Sequence, residues 1–542
     1  MKLRKIRGSW KGICLLLMMT LIIVGCASSE PEEINEVETD EMEQVYNPED
    51  SPPLRIAITR PTQLNPLLNG NETLFQVYHL VYESLITFNE SFDIDTLLAE
   101  SWEMDPQGLS VTFNLREDVT WHDGEPFRAE DVIFTYHVLR EQAERLEYPN
   151  LYTNNLRQIS DVRITGDHAV RFTFTRPYSN ILETLTFPIL PQHIFEGENR
   201  SLLTSDEFPM IGTGRYQVQS YDVSHSMILK DYPAYWGKRP YIQKIEITIV
   251  PDRQAQLSLF ENGAIDLVEP LSVDWAKYTD SEKIAGIEYP STQYEFIAFN
   301  FQHDHWNDPR LRQAVAHVVD RDQILQSVYF GHGQMTEVPV SPSSWLYHQE
   351  TIRFEHQTER ARELISETDL PADTTFILLT NAGNPFREKT AEIIVEAMTE
   401  AGLLVDLEVL KWEDLQQRIA EGEFDMVLAG WQFSMIPDLS FAFHSSQEAA
   451  GNFIGYQNDR MDHLLESVFA APNRSLKAEQ WEELQDFILS ELPYVSLFFK
   501  NHALLLSSSV KGDLDPIQFN HFRGIESAYL IPSRESTSMD TE

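Results

Sequence analysis

The residues of this chain best placed to do chemistry together are Gly430-Trp431-Gln432-Phe433-Ser434, with Asp438 four positions on. A hydroxyl at 434 offers neutral hydrogen bonds only, whereas a carboxylate, as at Asp438, makes charge-assisted ones. His303 and His305, and His122 beside Asp123, carry atoms that ligate metals, but one or two side chains do not make a preformed site, so surface or turn histidine is the better reading. No GxSxG, HExxH or CxxC occurs, and the sixteen histidines are dispersed. With 85 acidic residues, paired carboxylates arise by chance, and none can be assigned glycosidase spacing. Gly212-Thr213-Gly214 is a lone Gly-x-Gly without the GxxxxGK(S/T) of a phosphate loop. The inventory favours binding over catalysis, with no enzyme activity and no cofactor expected.

The elements that must position Trp431 to Asp438 are legible. Phe376 to Leu379 predicts a strand. Asn384 caps a helix with Pro385 at its first position, Ile393, Ile394, Ala397 and Met398 give its buried face, and Gly402 stops it. Leu403 to Leu410 follows as a strand, Glu413 to Ile419 as a helix and Met426 to Ala429 as a short buried strand. Strand, helix, strand, helix, strand implies right-handed crossovers and an α/β layer. Ligands of such sheets sit beyond the carboxyl ends of the strands, which places residues 430 to 434 at a groove.

Upstream, Val111, Phe113 and Leu115 alternate with Thr112, Asn114 and Arg116, the period of a strand with one buried face. Asp105 to Gly108 and Trp121 to Gly124 supply turns, and Glu130 to Arg140 predicts a helix whose first turn holds Glu130 and Asp131. Ile159 to Phe174 alternates around Gly166-Asp167, a hairpin. Asp308 to Ala314 starts a helix; Asp320 and Gln323 have capping-box spacing for the next, which Gly331 would end.

The segments LAESWE, TFNLREDVTWHDG and AEDVIFTY within residues 97–136 resemble the consensus of the oligopeptide-binding proteins that serve ATP-driven (ABC-type) importers, a family that includes dipeptide and nickel-complex receptors. The likeness extends over nearly all of residues 54 to 531, through Leu64-Asn65-Pro66-Leu67, Tyr82-Glu83-Ser84-Leu85, Gly212 to Tyr216, Tyr235-Trp236-Gly237, Gly263 to Leu267, Phe296 to Asn300 and the run from Trp481 to Lys500. His444 to Gln447 and Asn452 to Tyr456 extend it toward the longer-peptide branch. Arg128 stands where the family usually has a small hydroxyl residue, so the helix forgoes a cap worth about 1 kcal/mol. Arg215 replaces the family's usual Pro, and Ser84 its usual Gly. Many peptide-binding relatives carry, where Ser434 stands, an Asp that receives the peptide ammonium. Either Asp438 takes over that contact, or the ligand is gripped by its backbone or by another charge.

The resemblance implies an α/β, two-lobed periplasmic-binding-protein-like fold (type II, large peptide-binding class) with an extra subdomain on the first lobe. Residues 54–84, 205–298 and 495–531 would form lobe I, 85–204 its subdomain and 299–494 lobe II, with the chain crossing lobes near Tyr294 to Asn300. The implied ligand contacts are Asn65, Tyr82, Thr213, Tyr294, Asn300, Trp431, Phe433, Ser434 and Asp438. The aromatic residues at 235 and 236 read as core. The implied partners are a peptide ligand and the membrane permease subunits of an ABC importer. A chelated metal or other small solute as cargo, and a surface sensor or enzyme on the same fold, are the alternatives.

A length of 542 residues exceeds what one core supports. The net charge of −44, from 41 basic and 85 acidic residues, gives no electrostatic footing on nucleic acid. Residues 1–25 read as a signal peptide: a basic stretch from Lys2 to Lys11, the apolar run Ile13 to Val24, then Gly25-Cys26, similar to the bacterial lipoprotein processing box in which the Cys thiol is acylated. Cys14 leaves with the leader, so Cys26 has no disulfide partner. Ala27 to Pro53 holds ten acidic residues and no Lys or Arg, the composition of a disordered tether spanning about 30 Å. The polar tail 532–542 frays. A monomer, lipid-anchored through Cys26 on the extracellular face of a bacterial cell membrane, is the expectation.

Overall fold

The computed structural model describes residues 47, 50–145, 152, 156–280, 282–349, 354–434, 438–447 and 451–532. The leader, Cys26, most of the acidic tether and residues 533–542 lie outside them. Within them, Val111, Phe113 and Leu115 turn inward and are fully buried, as alternation requires of the strand Ser110–Leu115. That strand lies between Ala99–Met104 and Ala169–Phe174, and Ile159–Gly166 completes a four-stranded antiparallel sheet. The helix Ala129–Arg145 follows the Trp121–Gly124 turn, where Gly124 has a φ of +93°. Asp131 in its first turn accepts the Arg128 N–H at 2.9 Å, the Gln192 N–H at 2.8 Å and the Trp121 Nε1–H at 3.2 Å. The acidic half of the capping box is therefore kept although residue 128 has no hydroxyl.

A second sheet has the strand order Leu54–Thr59, Lys244–Val250, Ser226–Asp231, Tyr216–Asp222, with the first pair parallel. One continuous apolar core runs from Leu54 and Ile56 through Val111 and Phe172 to Ile245, Phe522 and Leu530, so this sheet and the first share an interior.

A separate core gathers residues between Tyr294 and Phe499. Its sheet is the predicted α/β layer. Thr375–Asn381 pairs in parallel with Leu404–Leu410 on one side and with Met426–Gln432 on the other. The helix Pro385–Ala401 joins the first two, with Asn384 accepting the Arg387 N–H at 3.1 Å, and ends at Gly402, whose φ of +99° needs a residue without a Cβ. Asp308 and Asp320 cap Pro309–Val318 and Arg321–Val328, and Gly331, at φ +83°, follows the second helix.

Two long antiparallel strands tie the cores together. Ile284–Phe299 runs beside Tyr494–Ser507, and their register shifts between Pro290 and Tyr294. Tyr289 and Leu504 belong to the first core, Tyr294 and Phe499 to the second. The irregular stretch Ser291 to Gln293 thus lies where the chain passes from one to the other.

Candidate ligand-binding cleft

A cavity of about 1160 Å³ opens between the two cores. The first contributes Ile56, Val77, His79, Phe88 and the return segment Ile517 to Phe522; the second contributes Trp431 to Ser434, Asp438, Leu439, Phe441 and Phe499. Small-molecule pockets span about 300–1,000 Å³, so the space suits something larger than a drug-sized solute.

The wall carrying Trp431 to Ser434 is the carboxyl end of the strand Met426–Gln432, where open α/β sheets present ligand sites. It is clamped from behind. Glu295, fully buried, takes Arg387 at 2.8 and 2.7 Å and Lys500 at 2.6 Å. Burial opposes its charge, but the Lys500 and Arg387 cations outweigh that and keep its pKa below the ordinary value. Gly430 has no space for a Cβ, which would lie 2.5 Å from Arg387 Nη2 and 2.9 Å from Glu295. Thr292 locks the strand end at the crossing: its hydroxyl donates to the Phe433 carbonyl at 2.7 Å, and the Phe433 N–H donates to its carbonyl at 3.1 Å.

Asp438 lines the cavity with one carboxylate oxygen on the Ser440 N–H at 2.8 Å, and Ser434 lies on the same wall. Met435, Ile436 and Pro437 between them are outside the described residues. Opposite, Glu269 accepts from Arg253 at 2.6 Å and sits 3.0 Å from His502 Nδ1. Burial works against its charge, yet the His502 hydrogen bond and the Arg253 cation hold its pKa down to about 2. Among the described residues the carboxylates of Glu72, Glu183, Glu269 and Asp438 face the cavity; Glu183 is paired with Lys477, and Glu72 and Glu269 with Arg253, which leaves Asp438 as the carboxylate without an ion-pair partner, open to a cationic group on a ligand. His79 Nε2 is shielded and has no hydrogen-bond partner among the described residues, and burial, with His521 nearby, pushes that ring down to about 4.

Five of the nine residues expected at the ligand are elsewhere. Asn65 is buried in a turn, donating to the Leu203 carbonyl at 2.9 Å and accepting the Leu67 N–H at 2.9 Å. Asn300 donates to the Gly422 and Phe424 carbonyls, and the Tyr294 hydroxyl meets Ser496 at 2.6 Å. Tyr82 and Thr213 are also interior. In each case the motif residue serves backbone or core, which a motif cannot distinguish from ligand contact. The Gly-x-Gly has the same explanation: a Cβ at Gly212 would overlap the Val81 carbonyl, so the motif packs against the helix Glu72–Val81. Tyr235 and Trp236, read as core, both donate to the buried Glu83 carboxylate, at 2.8 and 3.0 Å. The Arg253–Glu269–His502 cluster had no local signal, because its members are scattered along the chain.

The bacterial extracellular solute-binding proteins, family 5 (middle region), match residues 93–453. The chain belongs to that family. It is 25% identical to the oligopeptide-binding protein AppA of Bacillus subtilis over 480 residues, covering 84% of this chain and 87% of that protein. It is 26% identical to the heme-binding protein A of Haemophilus influenzae over 473 residues, covering 82% and 86%. The solved structure of HbpA2 from Haemophilus parasuis superposes with a TM-score of 0.77 at 21% identity, covering 89% of this chain and all of that one. The fold is therefore the two-lobed type II periplasmic-binding architecture, here mixed α/β, and the protein is a solute-binding protein of the ABC-importer class, related to oligopeptide and dipeptide receptors. AppA and the heme-binding protein A are named for binding rather than for catalysis. Among the described residues no helix is long and apolar enough to cross a membrane.

Proposed function

We propose that this protein captures oligopeptides in the cleft between its lobes and delivers them to the permease of an ABC importer, held at the extracellular face of the membrane by a lipid on Cys26. Lobe I comprises 54–84, 205–298 and 495–531 with the subdomain 85–204, and lobe II comprises 299–494. The observation that carries the reading is the size and lining of the cavity: about 1160 Å³, walled by both cores and rich in carboxylates. A receptor for varied sequences pairs with peptide N–H and C=O groups and leaves side chains in roomy, hydrated pockets. The lobes rotate about the irregular crossing at Ser291 to Gln293, and the ligand need only favour the closed form.

Trp431, Phe433, Ser434 and Asp438 contact the ligand, and Asp438 takes the peptide ammonium. Such a bond is worth about 1.5–3 kcal/mol. Asp438→Asn keeps the acceptor for the Ser440 N–H, so the wall survives. Calorimetry should then show at least about tenfold weaker binding of a free-amine peptide and no change for its N-acetylated form. Equal affinity of wild type and variant for the free amine removes Asp438 from the site.

One observation favours a second cargo, a haem or chelated metal: the shielded, unpartnered Nε2 of His79 on the cavity wall. Native mass spectrometry of protein purified from its own host separates the two, since a co-purified metal complex and a peptide pool differ in mass and absorbance.

A further inference from the structure

His303 and His305, two apart in sequence, meet Asp425, 122 residues from His303, on the surface of the second core. The three ligand atoms lie within 4.8 Å of one another. We propose that His303, His305 and Asp425 bind one divalent transition ion of the zinc class, at a site apart from the solute cleft.

The local geometry explains why the cluster exists. Asp425 immediately precedes the strand Met426–Gln432 and is held on both sides by backbone: its N–H donates to the Ile377 carbonyl at 3.1 Å, and its Oδ2 accepts the Ile377 N–H at 2.8 Å. Its Oδ1 is thereby aimed at the two imidazoles, 2.8 Å from His303 Nδ1 and 3.1 Å from His305 Nε2. His305 Nε2 is shielded from solvent and, although 3.1 Å from Asp425 Oδ1, is out of hydrogen-bonding geometry with it and with the other described residues. Its ring packs edge-on against Trp306 and Phe376, which fixes its direction.

Two imidazoles and one carboxylate, with room for water in the remaining position, are a donor set for zinc and its neighbours. Bonds of about 2.1 Å put tetrahedral ligand atoms about 3.4 Å apart, so an ion entering between Oδ1 and the imidazoles needs the rings to move apart from Oδ1 by about half an ångström and to adjust to each other from within 4.8 Å. The two histidines are 37% and 28% exposed at the side chain and can give that much. The site is not the cargo site. A strand rises about 3.3 Å per residue, so about 20 Å separates the Asp425 end from the Trp431 end that lines the cleft.

The test uses the full chain without an affinity tag, stripped with chelator and titrated with zinc chloride by calorimetry and with cobalt chloride by visible absorption. One equivalent of zinc should bind, cobalt should give the bands of a coordinated ion, and zinc should raise the thermal midpoint. His305→Gln should weaken zinc at least tenfold, and His303→Ala/His305→Ala should abolish the midpoint rise, while replacement of the exposed His225 by Ala, away from the cluster and the cleft, leaves both intact. Melting in chelator establishes that the variants fold. Absence of saturable zinc binding to the wild type, or the same affinity in the folded double variant, overturns the proposal.

Discussion

Lys477 and Glu183 form a buried ion pair across the two lobes, with side chains only 4% and 7% exposed. Glu183 lies on the short helix Ile181–Thr184 beside the first core, and Lys477 on the helix Arg474–Glu491 of the second. The ammonium also donates to the Ser179 carbonyl at 3.3 Å. Removing one member of a buried pair costs about 3–5 kcal/mol, because the other charge is left without a partner in a poorly solvated place. Glu183 also lines the cavity, so opening the lobes rehydrates it, and the cost of Lys477→Met falls on the closed form. At 3 kcal/mol the ratio of closed to open molecules drops by about 10², and apparent ligand affinity falls in proportion. Small-angle scattering should show a larger radius of gyration without ligand, and calorimetry a weaker Kd with unchanged stoichiometry. Lys477→Met/Glu183→Leu should regain most of the loss, since replacing both partners by apolar groups is close to neutral. Scattering and affinity of the single variant within about threefold of wild type would refute the assignment of this pair to closure.

Acid should weaken the fold in two stages. His79, His122 and His521 are lowered from 6.5 to about 4, chiefly by burial, and Glu269 is held near about 2, so all four bind fewer protons folded than unfolded. Their stabilisation is complete above the unfolded values and is lost as pH falls, first from about 6.5 towards 4 for the histidines and then from about 4.5 towards 2 for Glu269, at up to about 3 kcal/mol each. Urea unfolding at about pH 7 and about pH 5 should show the first stage, and equal free energies at the two would contradict it. Arg128→Ser supplies the missing hydroxyl half of the capping box and should raise stability by about 1 kcal/mol with ligand affinity unchanged; an unmoved urea midpoint would mean that the acidic half already suffices.

What could be read from sequence was local. The α/β layer of the second lobe, its caps at Asp308, Asp320 and Asn384 and its stop at Gly402 are set by residues within a few positions of one another, and the structure reproduces them. The strand ending at Trp431 to Ser434 was placed at the groove by a topological rule, and those residues do line the cavity. Residues singled out by family motif fared differently. Asn65, Tyr82, Thr213, Tyr294 and Asn300 are buried and serve the scaffold. Pairs distant in sequence carried no signal: Glu183 is 294 residues from Lys477, and His303 is 122 residues from Asp425. His303 and His305 alone offer two ligand atoms, too few for a site, and Asp425 joins them only when the sheet forms.

The division of labour within the cleft follows from where its charges are spent. Glu295, Arg387 and Lys500 satisfy one another behind the wall and hold the strand end in place, so the aromatic surface at 431 and 433 is formed before a ligand arrives. A preformed wall loses little side-chain freedom on binding, which leaves the cost of association mainly to the ligand and to closure. Glu269 is likewise occupied by Arg253 and His502. Glu183 is occupied by Lys477. Asp438 differs in having one oxygen engaged by a single backbone N–H on the cavity wall, where a ligand cation can add to its coordination without breaking an existing ion pair. If recognition of a peptide ammonium has moved from position 434, that difference in occupancy makes Asp438 the place to which it moved.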